Sequence, residues 1–179
     1  MFDVEKTALV VVDVQEKLWA AMHEKESLRD NTVRIVKGAK ILGVPIVWTE
    51  QNPKGLGSTL PEVAELLTDS EPVTKLSFSC CGEEAFMKKL EALNRKQILL
   101  AGMESHVCVY QTVADLQSKG YEVQVVADAV SSRTLENKAV GLERSKEVGA
   151  TITSTETALF ELLKIAEGDR FKQMLKIVK

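Results

Sequence analysis

Continuous runs of apolar, β-branched residues alternate along the chain with segments in which apolar residues recur at helical spacing. The longest runs occupy residues 7–14, 44–49, 96–101 and 123–127, and such runs are typical of strands buried on both faces. Shorter strands are predicted at 71–75 and 150–153. The pattern therefore predicts six strands, most of them in the interior of a sheet.

Helices are predicted between the strands. Helical spacing of apolar residues covers four segments, at 28–42, 83–93, 105–119 and 135–142. Gly43 and Gly120 follow two of these segments as helix stops. Thr153 and Glu156 form a capping-box pattern that opens a further helix at 155–164.

This alternation of buried strands and helices predicts an α/β fold with a doubly wound, mainly parallel six-stranded sheet. Helices cover both faces, as in a Rossmann-like three-layer sandwich. A length of 179 residues fits one domain, and no repeat or linker divides the chain. We expect a single domain over 1–179 with a helical tail at about 168–179, whose apolar stripe contains Phe171, Met174, Leu175 and Val178.

Composition excludes several classes of protein. The chain is 45% hydrophobic and 27% charged with a net charge of -3, so it lacks both the composition of a disordered chain and the basic excess of a nucleic-acid or anionic-membrane binder. Its apolar runs are too short to span a bilayer, and its first residues lack the order of a signal peptide. Three cysteines, two of them adjacent, do not make a disulfide framework. We therefore expect a cytoplasmic protein with reduced thiols and no nucleic-acid or membrane partner.

Three reactive side chains fall at predicted strand ends, where doubly wound folds bind their ligands. Asp13 and Lys75 each end a strand, and Cys108 lies just beyond another. If Ser105 is the N-cap of the next helix, Cys108 lies in its first turn, where unpaired N–H groups and the helix dipole favour a thiolate. Each residue alone has an ordinary structural explanation, as a cap, a surface charge or a core side chain. Together at one edge they indicate an activated nucleophile.

Four sequence blocks around these residues resemble the isochorismatase-like cysteine hydrolase superfamily, which also contains nicotinamidases and N-carbamoylsarcosine amidohydrolases. The blocks are VVDVQ at 11–15, TKLSFS at 74–79, GMESHVCV at 102–109 and DAVSSR at 128–133. The resemblance runs along almost the whole chain. The segment 49–57 and the tail at 171–178 are most similar to the small isochorismatase-domain-containing proteins.

The resemblance implies a role for each residue of the site. Asp13, Lys75 and Cys108 match the family's catalytic triad. Asp13 would take the thiol proton, Lys75 would hold Asp13 and the developing thiolate, and Cys108 would attack a carbonyl or carbamoyl carbon. The backbone N–H groups of the family's oxyanion hole map to Glu104 and Cys108. The family's cis peptide maps to the Met103–Glu104 bond.

Two departures from other members narrow the expected chemistry. Nicotinamidases carry an Asp/His/His metal cluster after strand two, where this chain has EQNP at 50–53, and neither His23 nor His106 lies there. Isochorismatases proper act on a vinyl ether and typically lack the nucleophilic cysteine, which is present here as Cys108. We therefore expect a metal-independent cysteine hydrolase without a cofactor, acting on a carbon–nitrogen (amide or carbamoyl) bond of a small metabolite.

Four residues near the triad in the sequence are candidates both for the substrate pocket and for the core: Gln15, Leu18, Trp19 and Phe78. Cys80 and Cys81 are expected to be strand-end packing rather than a redox pair, because adjacent cysteines bridge only with strain. The His106 ring is expected to face solvent or a neighbouring subunit. Asp128 and Arg133 are expected to form an internal ion pair or a loop brace.

Two alternatives from other classes remain open. One is a catalytically silent binding or scaffold protein of the same fold, and the other is a thiol redox sensor that uses Cys108 with Cys80 or Cys81. The presence of all three triad residue types favours an enzyme. The family resemblance favours a homo-oligomer with the tail at or near the interface, although the same apolar stripe suits a helix folded back on its own domain.

Overall fold

Residues 1–179 are described by a computed structural model, in which all six strands form one parallel sheet. The strands are β1 (Thr7–Val12), β2 (Ile46–Gln51), β3 (Val73–Lys75), β4 (Gln97–Met103), β5 (Glu122–Ser131) and β6 (Thr151–Thr153). Their order is β3-β2-β1-β4-β5-β6. The direction of winding changes between the neighbours β1 and β4, so the predicted doubly wound fold is confirmed.

Nine α-helices connect and cover the strands. They are α1 (Glu16–Ala20), α2 (Lys25–Leu42), α3 (Pro53–Leu56), α4 (Pro61–Ala64), α5 (Glu84–Ala92), α6 (Tyr110–Ser118), α7 (Leu135–Glu147), α8 (Thr155–Leu163) and α9 (Gly168–Val178). Short 3-10 turns occupy Val4–Lys6 and Cys80–Gly82, and a π-helical turn occupies Ser105–Val109. No helix combines the length and apolar character needed to cross a membrane.

The central strand β1 shows why the sheet has two apolar faces. All six of its residues are buried, and successive side chains point to opposite faces of a strand. Leu9 and Val11 therefore join one core, beneath α2, α8 and α9, whereas Ala8, Val10 and Val12 join the other, beneath α5 and α6. A continuous apolar run is the sequence signature of such a strand.

One predicted helix cap is displaced by a residue. The N-cap of α8 is Ser154, whose side chain accepts a hydrogen bond from the Thr157 N–H, so the predicted Thr153–Glu156 capping box is wrong. The reason is that Thr153 still belongs to β6. The helix therefore starts at Thr155, and Ser154, the residue before it, is the N-cap.

The C-terminal helix α9 folds back on its own domain. Met174 is completely buried in the core that lies beneath α2 and α8, and the Phe171 ring lies 6.5 Å from that of Phe160. The apolar stripe of the tail is thus used within the chain, which is one of the two possibilities that the sequence left open.

Candidate active site

The structure brings Asp13, Lys75 and Cys108 together at the carboxyl ends of β1, β3 and β4. Asp13 Oδ2 lies 2.7 Å from Lys75 Nζ, and both side chains are completely buried. Cys108 is 5% exposed, and its thiol lies near enough to the Asp13 carboxylate for each group to shift the pKa of the other. A carboxylate, a cation and a thiol therefore share one enclosed space.

The chain turns sharply at Asp13 to direct this carboxylate into the site. Asp13 has a φ of 52°, in the left-handed region that Asp tolerates better than most residues. Its N–H donates to Thr49 O, and the Thr49 hydroxyl donates to Asp13 Oδ1 at 2.7 Å. On the neighbouring strand, a Cβ at Gly102 would stand 2.1 Å from Val12 O. Only glycine allows β4 to pass so close to the end of β1.

The Lys75 ammonium is surrounded by acceptors. Its Nζ donates to Gln51 Oε1 at 2.6 Å, to Phe78 O at 2.9 Å and to Ser77 O at 3.2 Å. Burial by itself would lower the pKa of Lys75, but the negative charge of Asp13 opposes it, and the pKa is raised. Lys75 is therefore a fixed cation.

Burial raises the pKa of the Asp13 carboxyl, although Lys75, Thr49 and Cys108 each lower it. The Lys75 ammonium lies 2.7 Å from Oδ2 but also has three neutral acceptors within hydrogen-bonding distance, so Asp13 competes for its N–H groups. The carboxylate therefore has a stronger affinity for a proton than an exposed aspartate has.

The Cys108 thiol is protonated in the resting site, contrary to the predicted thiolate. Burial and then the charge of Asp13 raise its pKa to about 12, and the Lys75 cation offsets them only in part. Cys108 also lies in a π-helical turn whose N-cap is Glu104 rather than Ser105, with no side-chain cap. Desolvation and a like charge therefore outweigh the helix start.

Backbone hydrogen bonds and packing against α7 hold the turn that carries Cys108. Glu104 O accepts hydrogen bonds from the N–H groups of Val107 and Val109, but not from that of Cys108 between them. On its outer side, a Cβ at Gly141 would stand 2.4 Å from the Ser105 backbone, so α7 packs directly against the turn. This packing fixes the backbone that carries Cys108.

The Met103–Glu104 peptide bond is trans, as is every other peptide bond in the chain, so the expected cis bond is wrong. Trans is the strongly favoured form for a residue that does not precede proline. The chain leaves β4 instead through the unusual torsion of Gly102, with a φ of 134°, and through a Glu104 φ of −41° and ψ of 109°.

The Glu104 side chain forms a charged cluster next to this turn. Glu104 Oε1 lies 3.0 Å from Arg133 Nε, and Oε2 lies 3.5 Å from His106 Nδ1. His106 Nδ1 also lies 2.9 Å from Ser132 Oγ, and its side chain is only 16% exposed. The solvent-facing alternative for His106 is therefore wrong, because Glu104 and Ser132 draw the ring inward, and a contact with a neighbouring subunit stays a prediction.

Asp128 and Arg133 do not pair with each other. Asp128 Oδ1 accepts hydrogen bonds from the Thr155 N–H and hydroxyl at 2.8 and 2.9 Å, which braces the start of α8. Arg133 instead pairs with Glu104. The predicted brace is confirmed for Asp128, and the ion pair between the two residues is wrong because each has a nearer partner.

Three of the four candidate pocket residues are used by the fold. Gln15 is completely buried, and its side-chain amide bonds only to protein backbone. Leu18 and Trp19 pack against the core, and Trp19 Nε1 donates to Lys25 O. Phe78 is 54% exposed and half-buried Trp19 lines a surface cleft, so both of these aromatic rings have a face available to a ligand.

Cys80 packs in the core, as predicted, and lies directly behind the triad. It is completely buried, and its Sγ lies 3.8 Å from the Thr49 hydroxyl that donates to Asp13. The Cys80 N–H donates to Thr112 Oγ1, and this hydroxyl donates to Cys108 O.

The other two thiols are also poor acids. Burial raises the pKa of Cys80 to about 12 and that of half-buried Cys81 to about 11. All three thiols are free.

Sequence reasoning missed Thr49 and Gln51, which contact Asp13 and Lys75. Both lie near the carboxyl end of β2, at the edge where the sequence predicted reactive side chains, so their position was the available signal.

The triad is enclosed. The largest of the main clefts, about 690 Å³, lies among α2, α4 and α9, away from the triad. No group of three His, Cys, Asp or Glu side chains is arranged to hold a metal ion.

Comparison with known proteins identifies the family. An isochorismatase domain model matches residues 7–157. The secreted isochorismatase effector Isc1 of Phytophthora sojae is 41% identical over 177 residues, which are 97% of this chain and 84% of that protein. Further relatives, at 35–38% identity, are isochorismatase domain-containing proteins.

Solved structures of similar proteins share the fold of this chain. The MAR1 ribonuclease of Caenorhabditis elegans has a TM-score of 0.93 and 33% identity, covering 99% of this chain and 91% of that one. The YcaC gene product of Escherichia coli, an octameric hydrolase of unknown specificity, shares the fold with a TM-score of 0.94 at 22% identity, covering 98% and 88%. The chain belongs to the isochorismatase-like hydrolase family, as its match over most of the sequence and its six-stranded fold require.

Proposed function

We propose that this protein is a metal-independent cysteine hydrolase that cleaves a carbon–nitrogen bond in an amide or carbamoyl group of a small metabolite. Asp13, Lys75 and Cys108 would be its catalytic residues. The observation that carries the proposal is the completely buried Asp13–Lys75 ion pair, 2.7 Å long, beside a buried thiol. Burying a charge pair is costly unless function or compensating bonds retain it.

Attack begins from the neutral thiol. As Cys108 Sγ forms a bond to the carbonyl carbon, its proton passes to the Asp13 carboxylate, and the carbonyl π electrons move onto oxygen. The negative charge thus moves from Asp13 to the new oxyanion while the Lys75 cation stays in place. A pKa of about 12 for Cys108 makes such a coupled transfer easier than prior formation of a free thiolate.

Backbone N–H groups would stabilise the oxyanion. The family's pair of donors maps to Glu104 and Cys108. The Glu104 carbonyl accepts hydrogen bonds from the N–H groups of Val107 and Val109, but not from that of Cys108. Donors already fixed in a water-poor site stabilise developing charge without reorganising.

The second half of the reaction restores the enzyme. The carbon–nitrogen bond breaks, and the leaving nitrogen takes the proton from Asp13, leaving a thioester on Cys108. Water then attacks the thioester carbon and gives a proton to Asp13. The carbon–sulfur bond breaks, Cys108 recovers the proton, and the acid product leaves. The enclosed triad favours a substrate of few atoms.

The proposal is tested with a panel of small amides, ureides and carbamoyl compounds assayed for ammonia release, with and without a chelator. We expect at least one to be hydrolysed and the activity to survive chelation. Cys108→Ala should abolish it, whereas the matched variant Cys81→Ala, at a half-buried thiol outside the triad, should retain it.

Other outcomes would contradict this. A Cys108→Ala variant with the parent rate removes the nucleophile from the mechanism, and loss of activity with the metal overturns the metal-independent reaction. RNA belongs in the panel because a similar structure is a ribonuclease, and cleavage of RNA alone would replace the amide substrate. A disulfide between Cys108 and another thiol that forms only with peroxide, without any hydrolysis, would favour the redox sensor. The absence of both reactions would favour the scaffold protein.

We further propose that the protein is a homo-oligomer. Support comes from the octameric neighbour of the same fold and from exposed apolar residues near the carboxyl edge, Leu76, Phe78, Leu135 and Val140. Sedimentation at micromolar concentration should give a species larger than the 19.8 kDa chain, and a monodisperse monomer would reject the idea. The predicted cytoplasmic location stays a prediction.

A further inference from the structure

Gln51 connects the Lys75 cation to the surrounding loop. Its Oε1 accepts a hydrogen bond from Lys75 Nζ at 2.6 Å, and its Nε2 donates to Leu76 O at 2.9 Å. An ammonium can only donate and a carbonyl can only accept, so these two partners fix which way the amide of Gln51 points. Each end of the amide is thus bonded to the protein.

Gln15 in turn holds the backbone of Gln51. Gln15 Oε1 accepts from the Gln51 N–H at 2.7 Å, and Gln15 Nε2 donates to Gln51 O at 3.0 Å and to Gly57 O at 2.7 Å. Gln15 is completely buried and lies two residues after Asp13. A closed ring therefore runs from Asp13 along the chain to Gln15, across to Gln51, on to Lys75 and back to Asp13.

The ring decides where the Lys75 N–H groups point. An ammonium has three donors, and Gln51 Oε1, Phe78 O and Ser77 O provide three neutral acceptors. Asp13 Oδ2, 2.7 Å away, is a fourth acceptor for these three N–H groups. Lys75 thus supplies its charge to Asp13 while the neutral acceptors limit how far its N–H groups occupy the carboxylate.

We propose that Gln51, held by Gln15, is a positioning residue that draws one Lys75 N–H away from Asp13 Oδ2 and so preserves Asp13 as a proton acceptor. Without Gln51 Oε1, one N–H is free to turn to Oδ2. A hydrogen bond to the charged form of an acid lowers its pKa, so Asp13 would become a weaker base and Cys108 a slower nucleophile. This inference rests on the proposed triad.

The test measures how fast iodoacetamide alkylates Cys108 as a function of pH, by peptide mass spectrometry, and needs no knowledge of the substrate. Gln51→Met keeps the side-chain length and removes the acceptor. We expect Cys108 labelling at neutral pH to fall roughly tenfold, with its acidic limb moved to lower pH, as for a base weakened by about one pKa unit. On any hydrolysed amide, kcat should fall while KM changes little.

Gln51→Glu gives the opposite shift. It retains an oxygen for Lys75 but adds a negative charge near Asp13, which raises the pKa of that carboxyl, so the acidic limb should move to higher pH. Opposite shifts from two variants of one residue separate positioning from a loss of fold.

Gln97→Met is the matched control. Gln97 is also a buried glutamine, bonded to the Asp3 N–H at 2.8 Å, but it lies at the amino end of β4. After the rates are normalised to the amount of folded protein, iodoacetamide should label Cys108 of this variant at the parent rate. If Gln51→Met also labels at the parent rate and pH dependence, Gln51 has no positioning role. If the labelling shifts appear but no amide is hydrolysed by the parent, the proposed function fails and the positioning of Lys75 stands.

Discussion

Two Asp–Lys pairs of nearly equal length stand at opposite ends of the same sheet. Asp13–Lys75, at the carboxyl end, is 2.7 Å long with both side chains completely buried. Asp3–Lys164, at the amino end, is 2.8 Å long with side chains 42% and 50% exposed. The pKa of Asp3 is lowered by its hydrogen bond to Lys164, whereas burial raises that of Asp13. Pairs of nearly equal length thus show opposite acid–base behaviour, because burial dominates at Asp13 and the hydrogen bond to Lys164 dominates at Asp3.

The hydrogen bonding of the two pairs differs as well. At the amino end, Asp3 Oδ2 accepts a hydrogen bond from Lys164, and Oδ1 accepts one from the Glu5 N–H. At the carboxyl end, the Lys75 ammonium beside Asp13 Oδ2 also donates to three neutral oxygens. Two buried charges are costly to desolvate, so the carboxyl-end pair is the more expensive of the two for folding.

The largest expected difference between the pairs is in activity. Asp13→Asn removes the proton acceptor of the proposed mechanism, so kcat on any hydrolysed amide should fall about a thousandfold or more, as for other members of catalytic triads. Asp3→Asn makes the same chemical change and should retain the parent kcat. Steady-state kinetics on both variants measures this, and equal losses would show that the buried pair has no special role.

Stability should separate the pairs next. Lys75→Met leaves the Asp13 charge buried without its partner, so we expect a loss of roughly 3–5 kcal/mol in the free energy of unfolding. Lys164→Met removes an exposed partner, and such pairs contribute little. Denaturant unfolding of the two variants tests the difference. Combining Lys75→Met with Asp13→Asn should recover part of the loss, and an additive double variant would indicate that the charges do not interact.

The smallest expected effect is the pH dependence of stability. The raised pKa of Asp13 means that its contribution is fully present below the unfolded value near 3.8 and is lost as pH rises through the folded value. The lowered pKa of Asp3 has the opposite sign: its contribution is present above 3.8 and is lost as pH falls through the folded value. Carboxyl titration followed by NMR should therefore give a pKa above 3.8 for Asp13 and below 3.8 for Asp3. The reverse order would show that burial does not set the difference between the two pairs.

The sequence by itself determined the architecture and the identity of the three reactive residues. A strand such as β1, with six buried apolar residues, has few alternatives to the interior of a parallel sheet. Since parallel strands all end at one edge, placing Asp13, Lys75 and Cys108 there needed only the strand boundaries and the matching blocks of the family. These features are local in the chain, and local pattern is what a sequence displays.

The protonation and orientation of these groups were decided only by the tertiary structure. Helix-start reasoning gave Cys108 a thiolate, but the surrounding core and Asp13 raise its pKa to about 12. Gln15 looked like a pocket residue, yet its amide is consumed by the backbone of Gln51, 36 positions away. Desolvation and long-range hydrogen bonds depend on which segments meet in space. The spacing of residues in one segment carries no record of that.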